Sequence, residues 1–238
     1  MLRQLILNSR LNFRRRLFPQ NCLLCCAEAG DATLCASCLA DLPLLATPGC
    51  PICAHPNSVQ TQGEICGACL RQPPAFLRCI AAYTYHFPVD KLITALKYNH
   101  QFAVIDTLTA PLIARLSTET LPDALIAMPL HPQRLRERGF NQALLLARHM
   151  ARRLQLPLLQ TACQRVRHTS PQTTLAIEQR RLNMRNAFSC NQTVANKRIA
   201  IIDDVMTTGS SLDSLSRVLL RVGATEVQCW VSARAVLS

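Results

Sequence analysis

The stretch Ile199-Ala-Ile-Ile-Asp-Asp-Val-Met-Thr-Thr-Gly-Ser-Ser211 decides the fold of this chain. Its leading apolar residues are typical of a strand that is buried on both faces of a parallel sheet. Residues 210–222 follow with the apolar periodicity of a helix, which ends before Gly223. A strand, a short polar loop and a helix in this order predict a parallel α/β sheet with a ligand site at the carboxyl ends of its strands.

The loop in this stretch has the chemistry of a phosphate site. Its hydroxyl groups come from Thr207, Thr208, Ser210 and Ser211. Gly209 lets the backbone approach a ligand, and the free N–H groups at the helix start attract an anion. Asp203 and Asp204 would repel a bare phosphate, so we expect a ligand that also brings sugar hydroxyls and Mg²⁺. The alternative is that Thr-Thr-Gly-Ser-Ser is an ordinary helix cap.

The chain after residue 75 alternates strand and helix patterns. We expect strands at residues 83–87, 124–128, 156–159, 198–203 and 227–231. We expect helices at residues 89–98, 107–116, 141–154 and 210–222, the second of them broken near Pro111. The chain has no G-x-x-x-x-G-K-[ST] and no G-x-G-x-x-G after a strand. This excludes a P-loop NTPase and argues against a Rossmann dinucleotide site.

Most of the 13 cysteines form four Cys-x-x-Cys pairs near the start of the chain: Cys22/Cys25, Cys35/Cys38, Cys50/Cys53 and Cys66/Cys69. Two such turns can place four sulfurs around one tetrahedral Zn²⁺, so the spacing predicts two structural four-cysteine sites. Pairing by sequence order is favoured, and a cross-brace stays open. Disulfides would need an oxidising compartment. We expect the lone Cys79, Cys163, Cys190 and Cys229 to be small core residues.

Composition and charge narrow the class of protein. The chain has 238 residues, is 49% hydrophobic and carries a formal net charge of +12, which excludes a mainly disordered protein. No run of about 18 apolar residues occurs and no signal peptide is recognisable, so we expect a soluble, cytoplasmic protein that is not an integral membrane protein. Residues 134–198 hold 13 Lys or Arg against Glu137 and Glu178. This excess favours phosphate-bearing partners over a basic surface that serves only solubility.

The linker Gln72-Pro73-Pro74 divides the chain. We expect a basic segment at residues 1–19, a double zinc-binding region at residues 20–74 and an α/β domain at residues 75–238. Because a linker separates the last two, we expect zinc chelation to unfold residues 22–69 and to leave the α/β core intact.

The end of the deciding strand and its loop resemble the phosphoribosyl pyrophosphate (PRPP) motif of type I phosphoribosyltransferases. Over residues 20–236 the chain resembles the ComF family, whose relatives include GntX-type proteins. Besides the zinc region, the resemblance rests on Leu96-Lys97-Tyr98, Met128-Pro-Leu-His131, Arg138-Gly-Phe-Asn-Gln142, Arg167-His-Thr-Ser-Pro-Gln172, Arg181-Leu-Asn183 and Ala187-Phe188. It implies a type I phosphoribosyltransferase-like parallel sheet flanked by helices, with a small N-terminal zinc-binding region of the four-cysteine type.

The resemblance also implies roles for single residues. Asp203 and Asp204 would be the catalytic pair, taking the ribose hydroxyls and a Mg²⁺-bound water, and Thr207 to Ser211 would cradle the 5′-phosphate. The pyrophosphate would lie at the turn Pro129-Leu130-His131. A mobile loop that closes over the site would contain Arg167, Thr169, Gln172 and Arg181. Two roles stay open for Arg134, Arg138, Asn141 and Gln142: they hold phosphate or DNA, or they brace the turn.

For function, the resemblance implies natural transformation, in which internalised single-stranded DNA is handled in the cytoplasm by a protein with a PRPP-type site. A further hypothesis is that the zinc region is a docking surface for a partner of the DNA-import apparatus, such as a helicase or a channel protein. The other hypothesis is an active Mg²⁺-dependent phosphoribosyltransferase on an unidentified base or nucleotide. The sequence reveals no acceptor pocket for it, because the zinc region takes the place of the base-binding hood. With 5% aromatic residues, DNA binding should be mainly electrostatic, without a long stacking platform.

Overall fold

Strands and helices alternate through the residues that this computed structural model describes, which are 20–45, 49–57, 61, 63–166 and 187–236. The strands are β1 Arg78–Thr84, β2 Ala124–Ala127, β3 Cys163–Arg165, β4 Phe188–Cys190, β5 Arg198–Met206 and β6 Glu226–Arg234. The helices are α1 Ala36–Ala40, α2 Gly67–Arg71, α3 Val89–Tyr98, α4 Val104–Leu116, α5 Pro132–Arg138, α6 Gln142–Leu154 and α7 Ser210–Arg221. The segment expected at residues 1–19 lies outside the described residues. Within the described ranges, no helix has the length and apolar character needed to span a bilayer.

Four parallel strands form the central sheet in the order β1-β6-β5-β2. The remaining two strands, β3 and β4, make a separate antiparallel pair. The predicted parallel α/β sheet is therefore confirmed. Because the four strands run in one direction, their carboxyl ends meet at one edge of the sheet, where ligands of such folds bind. The loop Thr207 to Ser211 and the turn after β2 lie at this edge.

Each face of the sheet packs against helices. Trp230 of β6 lies in the apolar cluster of α3, α4 and α6, together with Leu92 and other buried residues of those helices. Val231, the next residue, lies in the opposite cluster with Leu215 and Leu219 of α7. Successive strand residues point to opposite faces, so β6 is buried on both. This burial explains why the strand patterns of this chain are continuous apolar runs.

The Cys-rich region shares both apolar clusters with the sheet. The first half contributes Cys22, Leu34 and Leu42 to the cluster that contains Trp230. The second half contributes Cys50, Cys53, Cys69 and the following Phe76 to the cluster that contains Val231. Each half of the Cys-rich region is thus packed on a different face of the same sheet.

One predicted strand of the α/β domain is shifted, and one short helix was not predicted. β1 begins at Arg78 and ends at Thr84, whereas the sequence predicted a strand at residues 83–87. The centre of β1 is buried through the small residues Ala81 and Ala82, which give a weak apolar signal. The short helix α5 was not predicted as a separate element, and α6 follows it with the predicted C-terminal end at Leu154.

Helix α4 runs unbroken through Pro111, so the predicted break is wrong. A proline has no N–H to donate to the carbonyl four residues earlier, which here belongs to Thr107. The Tyr83 hydroxyl donates to that carbonyl at 2.9 Å. A tertiary hydrogen bond therefore satisfies the acceptor that Pro111 leaves free, and the helix continues.

Two expectations near the β3–β4 pair are also corrected. Residues 156–159 form only an isolated bridge between Leu158 and Leu125, because Pro157 interrupts the donors that a strand would need. The strand partners Cys163 and Cys190 form a disulfide instead of lying in the core as separate thiols. The other two lone cysteines, Cys79 and Cys229, are buried as predicted.

Candidate functional site

The adjacent carboxylates of β5 lie in different environments. Asp204 is 4% exposed and forms an ion pair with Lys97 Nζ. Its Oδ1 also accepts a hydrogen bond from Gln142 Nε2 at 3.1 Å. Burial alone would raise the pKa of Asp204, but the Lys97 ammonium and the hydrogen bonds hold it below its usual value. Asp204 is therefore an ionised residue that ties α3 and α6 to β5.

Asp203 is half-buried and accepts the backbone N–H of Asp204 on its Oδ1 at 2.9 Å. Burial and the charge of Asp204 raise the pKa of Asp203 well above its usual value. The guanidinium of Arg165, in β3, is close enough to interact electrostatically with this carboxylate. A partly accessible carboxylate that resists ionisation gains most from a ligand that brings a cation or hydroxyl donors. The donor set at Asp203 therefore fits Mg²⁺ and ribose hydroxyls.

A chain of hydrogen bonds braces the edge of the sheet behind these carboxylates. Asn141 caps α6 by accepting the N–H of Ala143 at 2.9 Å, and its Nδ2 donates to the carbonyl of Met128 at 3.0 Å. Arg138 donates to Gln142, which in turn donates to Asp204. Of the two roles left open for Arg138, Asn141 and Gln142, the observed contacts are those of bracing.

The turn after β2 leads into the positively charged helix α5. Pro129 is buried, whereas Leu130 and His131 are half-buried. The His131 side chain caps α5 by accepting the N–H of Gln133 at 3.3 Å. Arg134 of α5 forms an ion pair with Glu137 at 3.6 Å, and its charge also acts on Arg165. The turn therefore stands beside cationic side chains, as a site for a pyrophosphate would require.

The loop Thr207 to Ser211, called the phosphate loop below, is held by its own side chains. The hydroxyl oxygens of Thr208 and Ser210 are 2.9 Å apart, and Thr207 is exposed. Gly209 has a φ of +79°, and a Cβ there would lie 2.5 Å from the Cε of Met206. The left-handed backbone therefore favours glycine here, a larger residue would also have to displace the end of the Met206 side chain, and α7 begins directly after Gly209. The N–H of Ser210 donates to Thr208 Oγ1 at 3.4 Å, and the positive end of the helix dipole at this point attracts an anion.

Arg234 connects the phosphate loop to the second half of the Cys-rich region. Its side chain is buried and donates to the carbonyls of Met206 and Thr207 in or beside the loop, and to the carbonyl of Cys53 at 2.9 Å. A cleft of about 290 Å³ lies between the loop and this region, with Phe76 among its lining residues. The Cys-rich region thus forms one wall beside the phosphate loop.

The eight paired cysteines form two clusters in sequence order. Cys22, Cys25, Cys35 and Cys38 make one cluster, Cys50, Cys53, Cys66 and Cys69 make the other, and within each the sulfurs lie within 4.8 Å of one another. The Cys25–Cys35 and Cys53–Cys66 sulfurs are 3.7 and 3.6 Å apart. Tetrahedral Zn–S bonds of about 2.3 Å require sulfurs about 3.8 Å apart. Two four-cysteine sites compatible with structural zinc are therefore confirmed, and the cross-brace is excluded.

Backbone N–H groups prepare these clusters for a metal. The N–H of Cys66 donates to Cys50 Sγ at 3.4 Å. Although burial opposes ionisation, such backbone donors lower the pKa of Cys22 to about 6 and that of Cys50 to about 7. Zinc binds thiolates, so one sulfur in each cluster is already close to the form that the metal requires.

Part of the predicted site lies outside the described residues. Arg167, Thr169, Gln172 and Arg181, predicted as the mobile loop, all fall in residues 167–186. Ser211 is described and is half-buried in the first turn of α7. The two strands that flank the predicted loop, β3 and β4, pair with each other.

Sequence reasoning missed three basic residues of the site. Lys97 stood in a recognised motif but had no assigned role, because its ion pair with Asp204 spans more than a hundred positions of the chain. Arg165 was only one of many arginines in the basic segment. Arg234 closes the last strand, where nothing in the local pattern distinguishes it from a surface residue. The fold alone brings these cations to the carboxyl edge of the sheet.

Family models match both parts of the chain: a double zinc ribbon domain over residues 13–70 and a phosphoribosyl transferase domain over residues 141–235. Competence protein F of Haemophilus influenzae is 37% identical over 195 residues, which cover 78% of this chain and 85% of that protein. The chain belongs to the ComF/YhgH family. The DNA utilization protein YhgH of Escherichia coli K12 is 34% identical over 79% of this chain and 84% of its own length. Competence protein ComFC of Bacillus subtilis is 27% identical over 81% of this chain and 80% of its own length.

Two solved structures were also compared with this ComF/YhgH-family chain. The glutamine PRPP amidotransferase of B. subtilis in complex with ADP and GMP has 18% identity and a TM-score of 0.38, over 55% of this chain and 26% of that one. TT1426 of Thermus thermophilus has 16% identity and a TM-score of 0.33, over 56% of this chain and 81% of that one. The type I phosphoribosyltransferase-like fold rests on the matched domain and on the parallel sheet described above.

Proposed function

We propose that the carboxyl edge of the sheet binds PRPP, or a related phosphorylated ribose, together with Mg²⁺. The single observation that carries this proposal is the juxtaposition of Asp203 with the phosphate loop on one strand-loop-helix unit. The helix start and the loop hydroxyls provide for a phosphate, and the Asp203 carboxylate provides for ribose hydroxyls and the metal ion. Arg134 and Arg165 supply positive charge on the side where pyrophosphate would lie.

We further propose that the protein handles single-stranded DNA in the cytoplasm, in concert with the DNA-import apparatus. Its relatives are named competence proteins and DNA utilization proteins. The concentration of Lys and Arg in residues 134–198 gives this segment of the sequence a positive charge that attracts phosphate. A helicase or channel protein of DNA import is the proposed protein partner.

Two titrations of the zinc-loaded protein test these proposals. PRPP with Mg²⁺ should raise the temperature of unfolding, because a ligand that binds only the folded state stabilises it. A fluorescent single strand should bind with an affinity that falls by roughly 10³ between about 50 and 200 mM salt if about six phosphates are contacted. An unchanged unfolding temperature would contradict the PRPP proposal, and a flat response to salt would contradict electrostatic DNA binding.

The cleft beside the phosphate loop favours a second candidate function. Its wall of Phe76, Met206 and Pro74 is apolar, as a pocket for a nucleobase would be. An active Mg²⁺-dependent phosphoribosyltransferase would use such a pocket for its acceptor. The test is release of pyrophosphate from PRPP in the presence of bases, nucleotides or DNA. Release that needs one of these acceptors would support a transferase, and PRPP binding without release would support a binding role.

A further inference from the structure

We infer that Tyr98, His100, Phe102 and Phe140 form a base-stacking surface for single-stranded nucleic acid. These four residues are called the ring cluster below. The inference rests on the proposed function, because it specifies where the DNA of that proposal would lie. Tyr98 ends α3, His100 and Phe102 lie in the loop after it, and Phe140 lies between α5 and α6, so only the fold brings them together.

Three rings of the cluster, those of His100, Phe102 and Phe140, are in mutual contact. The centroids of Phe102 and Phe140 are 5.2 Å apart, with their planes at 86°. His100 lies 5.2 Å from Phe140 and 5.9 Å from Phe102. The guanidinium carbon of Arg138 lies 5.4 Å from the centroid of the Tyr98 ring. Aromatic rings and the planar guanidinium of arginine are the groups on which the bases of a single strand stack.

Three of the four rings of the cluster are exposed to solvent, and the fourth, Phe140, is half-buried. Tyr98 is 65% exposed and Phe102 is 46% exposed. His100 is also exposed, and it has a φ of +54°, a left-handed conformation that costs energy in a residue other than glycine. Exposed rings on a strained loop add little to folding stability. They are better explained by contact with a ligand.

Both segments of the chain that carry the ring cluster are anchored to the proposed PRPP site. Tyr98 directly follows Lys97, whose ammonium pairs with Asp204. Phe140 directly precedes Asn141, whose side chain holds the carbonyl of Met128 at the turn after β2. Bases stacked on the rings would therefore lie at the rim of the site.

Arginines beside the ring cluster provide for the phosphate backbone. An open groove of about 730 Å³ includes Phe102 in its lining and lies between α4 and α6, where Arg148 and Arg152 also line it. Arg148 and Arg152 are both exposed. The surface thus combines stacking rings with cations, which is the composition expected for a single-strand site rather than for an apolar protein partner.

The test measures anisotropy of a fluorescent oligothymidylate of about 15 nucleotides, a length within the reach of one such site. The zinc-loaded protein is compared with the variants Phe102→Leu, Phe102→Tyr and Leu70→Ala. Leucine keeps the apolar bulk without the aromatic face, tyrosine keeps the face, and Leu70 is an exposed apolar residue on α2 of the zinc region. An abasic strand of equal length is the ligand control.

We expect Phe102→Leu to weaken oligothymidylate binding by roughly tenfold, and Phe102→Tyr and Leu70→Ala to leave it unchanged. Binding of the abasic strand should be the same for all four proteins. In contrast, Arg148→Gln should lower the slope of affinity against salt by about 0.7, the contribution of one single-strand phosphate contact.

Equal binding by Phe102→Leu and the unaltered protein would overturn the ring cluster as a stacking surface and leave the DNA proposal standing. Weaker binding of the abasic strand by Phe102→Leu would also overturn the stacking surface, because the ring of Phe102 would then not act through the bases. If the unaltered protein bound no single-stranded DNA, both the stacking surface and the DNA part of the proposed function would be contradicted. Binding of PRPP would be unaffected by any of these results.

Discussion

At the scale of residues, the neighbouring carboxylates Asp203 and Asp204 affect the stability of the fold in opposite directions. Asp204 is paired with Lys97 and stabilises the edge of the sheet, whereas Asp203 is held beside another acid with its pKa raised. Sites that bind charged ligands often keep such unfavourable groups, since the ligand supplies the missing counter-charge. The identical side chains at positions 203 and 204 therefore serve different purposes.

The two carboxylates should respond oppositely to amidation. Between the unfolded and the raised folded pKa, folded Asp203 binds more protons than unfolded Asp203, so its contribution to stability falls as pH rises through that window. Asp203→Asn removes this loss and should raise the free energy of unfolding at pH 7, by about 1.4 kcal/mol for each pH unit of that window that lies below pH 7. The gain should disappear near the unfolded pKa of about 4.

Asp204→Asn should instead lower the free energy of unfolding at neutral pH. The variant leaves the Lys97 ammonium largely buried without its ionised partner. Breaking a fully buried pair costs about 3–5 kcal/mol, and the partial exposure of Lys97 should reduce this to about 2 kcal/mol. Urea unfolding of both variants at neutral and acidic pH measures the difference. Shifts of the same sign at neutral pH would contradict the separate roles.

At the scale of elements, Arg234 joins three parts of the molecule that the sequence separates. It closes β6, reaches the phosphate loop after β5 and holds the carbonyl of Cys53 in the zinc region. A planar guanidinium can bond several carbonyls in one plane, which a lysine ammonium cannot do in the same way. The geometry of the phosphate loop therefore depends on an element outside it.

We expect Arg234→Met to lower the free energy of unfolding by about 2–3 kcal/mol, because it removes the donor to the carbonyl of buried Cys53 and the donors that hold Met206 and Thr207. It should also weaken binding of PRPP at the phosphate loop. Arg217→Met is the matched control, since Arg217 is on α7 and forms an exposed i, i+4 ion pair with Asp213. Equal unfolding midpoints and equal PRPP affinities for the two variants would show that Arg234 does not hold the loop.

At the scale of the whole molecule, the packing favours one cooperative unit. The sequence suggested two parts joined by a linker, but the halves of the Cys-rich region contribute to the clusters on both faces of the sheet. Removing zinc would withdraw that packing from the α/β domain as well. We therefore propose that the parts at residues 20–74 and 75–238 unfold together.

Zinc removal should reveal this coupling. A strong chelator, or Cys25→Ser, should lower the unfolding temperature of the whole chain by at least about 10 °C in a single transition. Cys26→Ser is the control, because Cys26 is exposed and lies outside both clusters of sulfurs. The measurement is circular dichroism, with tryptophan fluorescence reporting on buried Trp230. Unfolding of the zinc region without a change in the unfolding temperature reported by Trp230 fluorescence would contradict the shared core.

The sequence predicted those features that depend on local pattern. The apolar run before Asp203 indicated the central strand, and the Cys-x-x-Cys spacing indicated both sulfur clusters. Features that depend on tertiary contacts were missed. Pro111 is tolerated because Tyr83 supplies a hydrogen bond from another element. The ring cluster was not predicted because Phe140 is distant in sequence from Phe102. The roles of Arg165 and Arg234 depend on contacts at the sheet edge that only the fold creates.

The central claim, a PRPP-type site built on Asp203, is tested most directly by calorimetric titration of PRPP with and without Mg²⁺. The zinc-loaded protein should bind PRPP when Mg²⁺ is present. Asp203→Asn should bind it at least about tenfold more weakly although the variant is no less stable, since it loses a charge-assisted contact. Equal affinity in the two proteins, or no binding in the unaltered protein, would contradict the account.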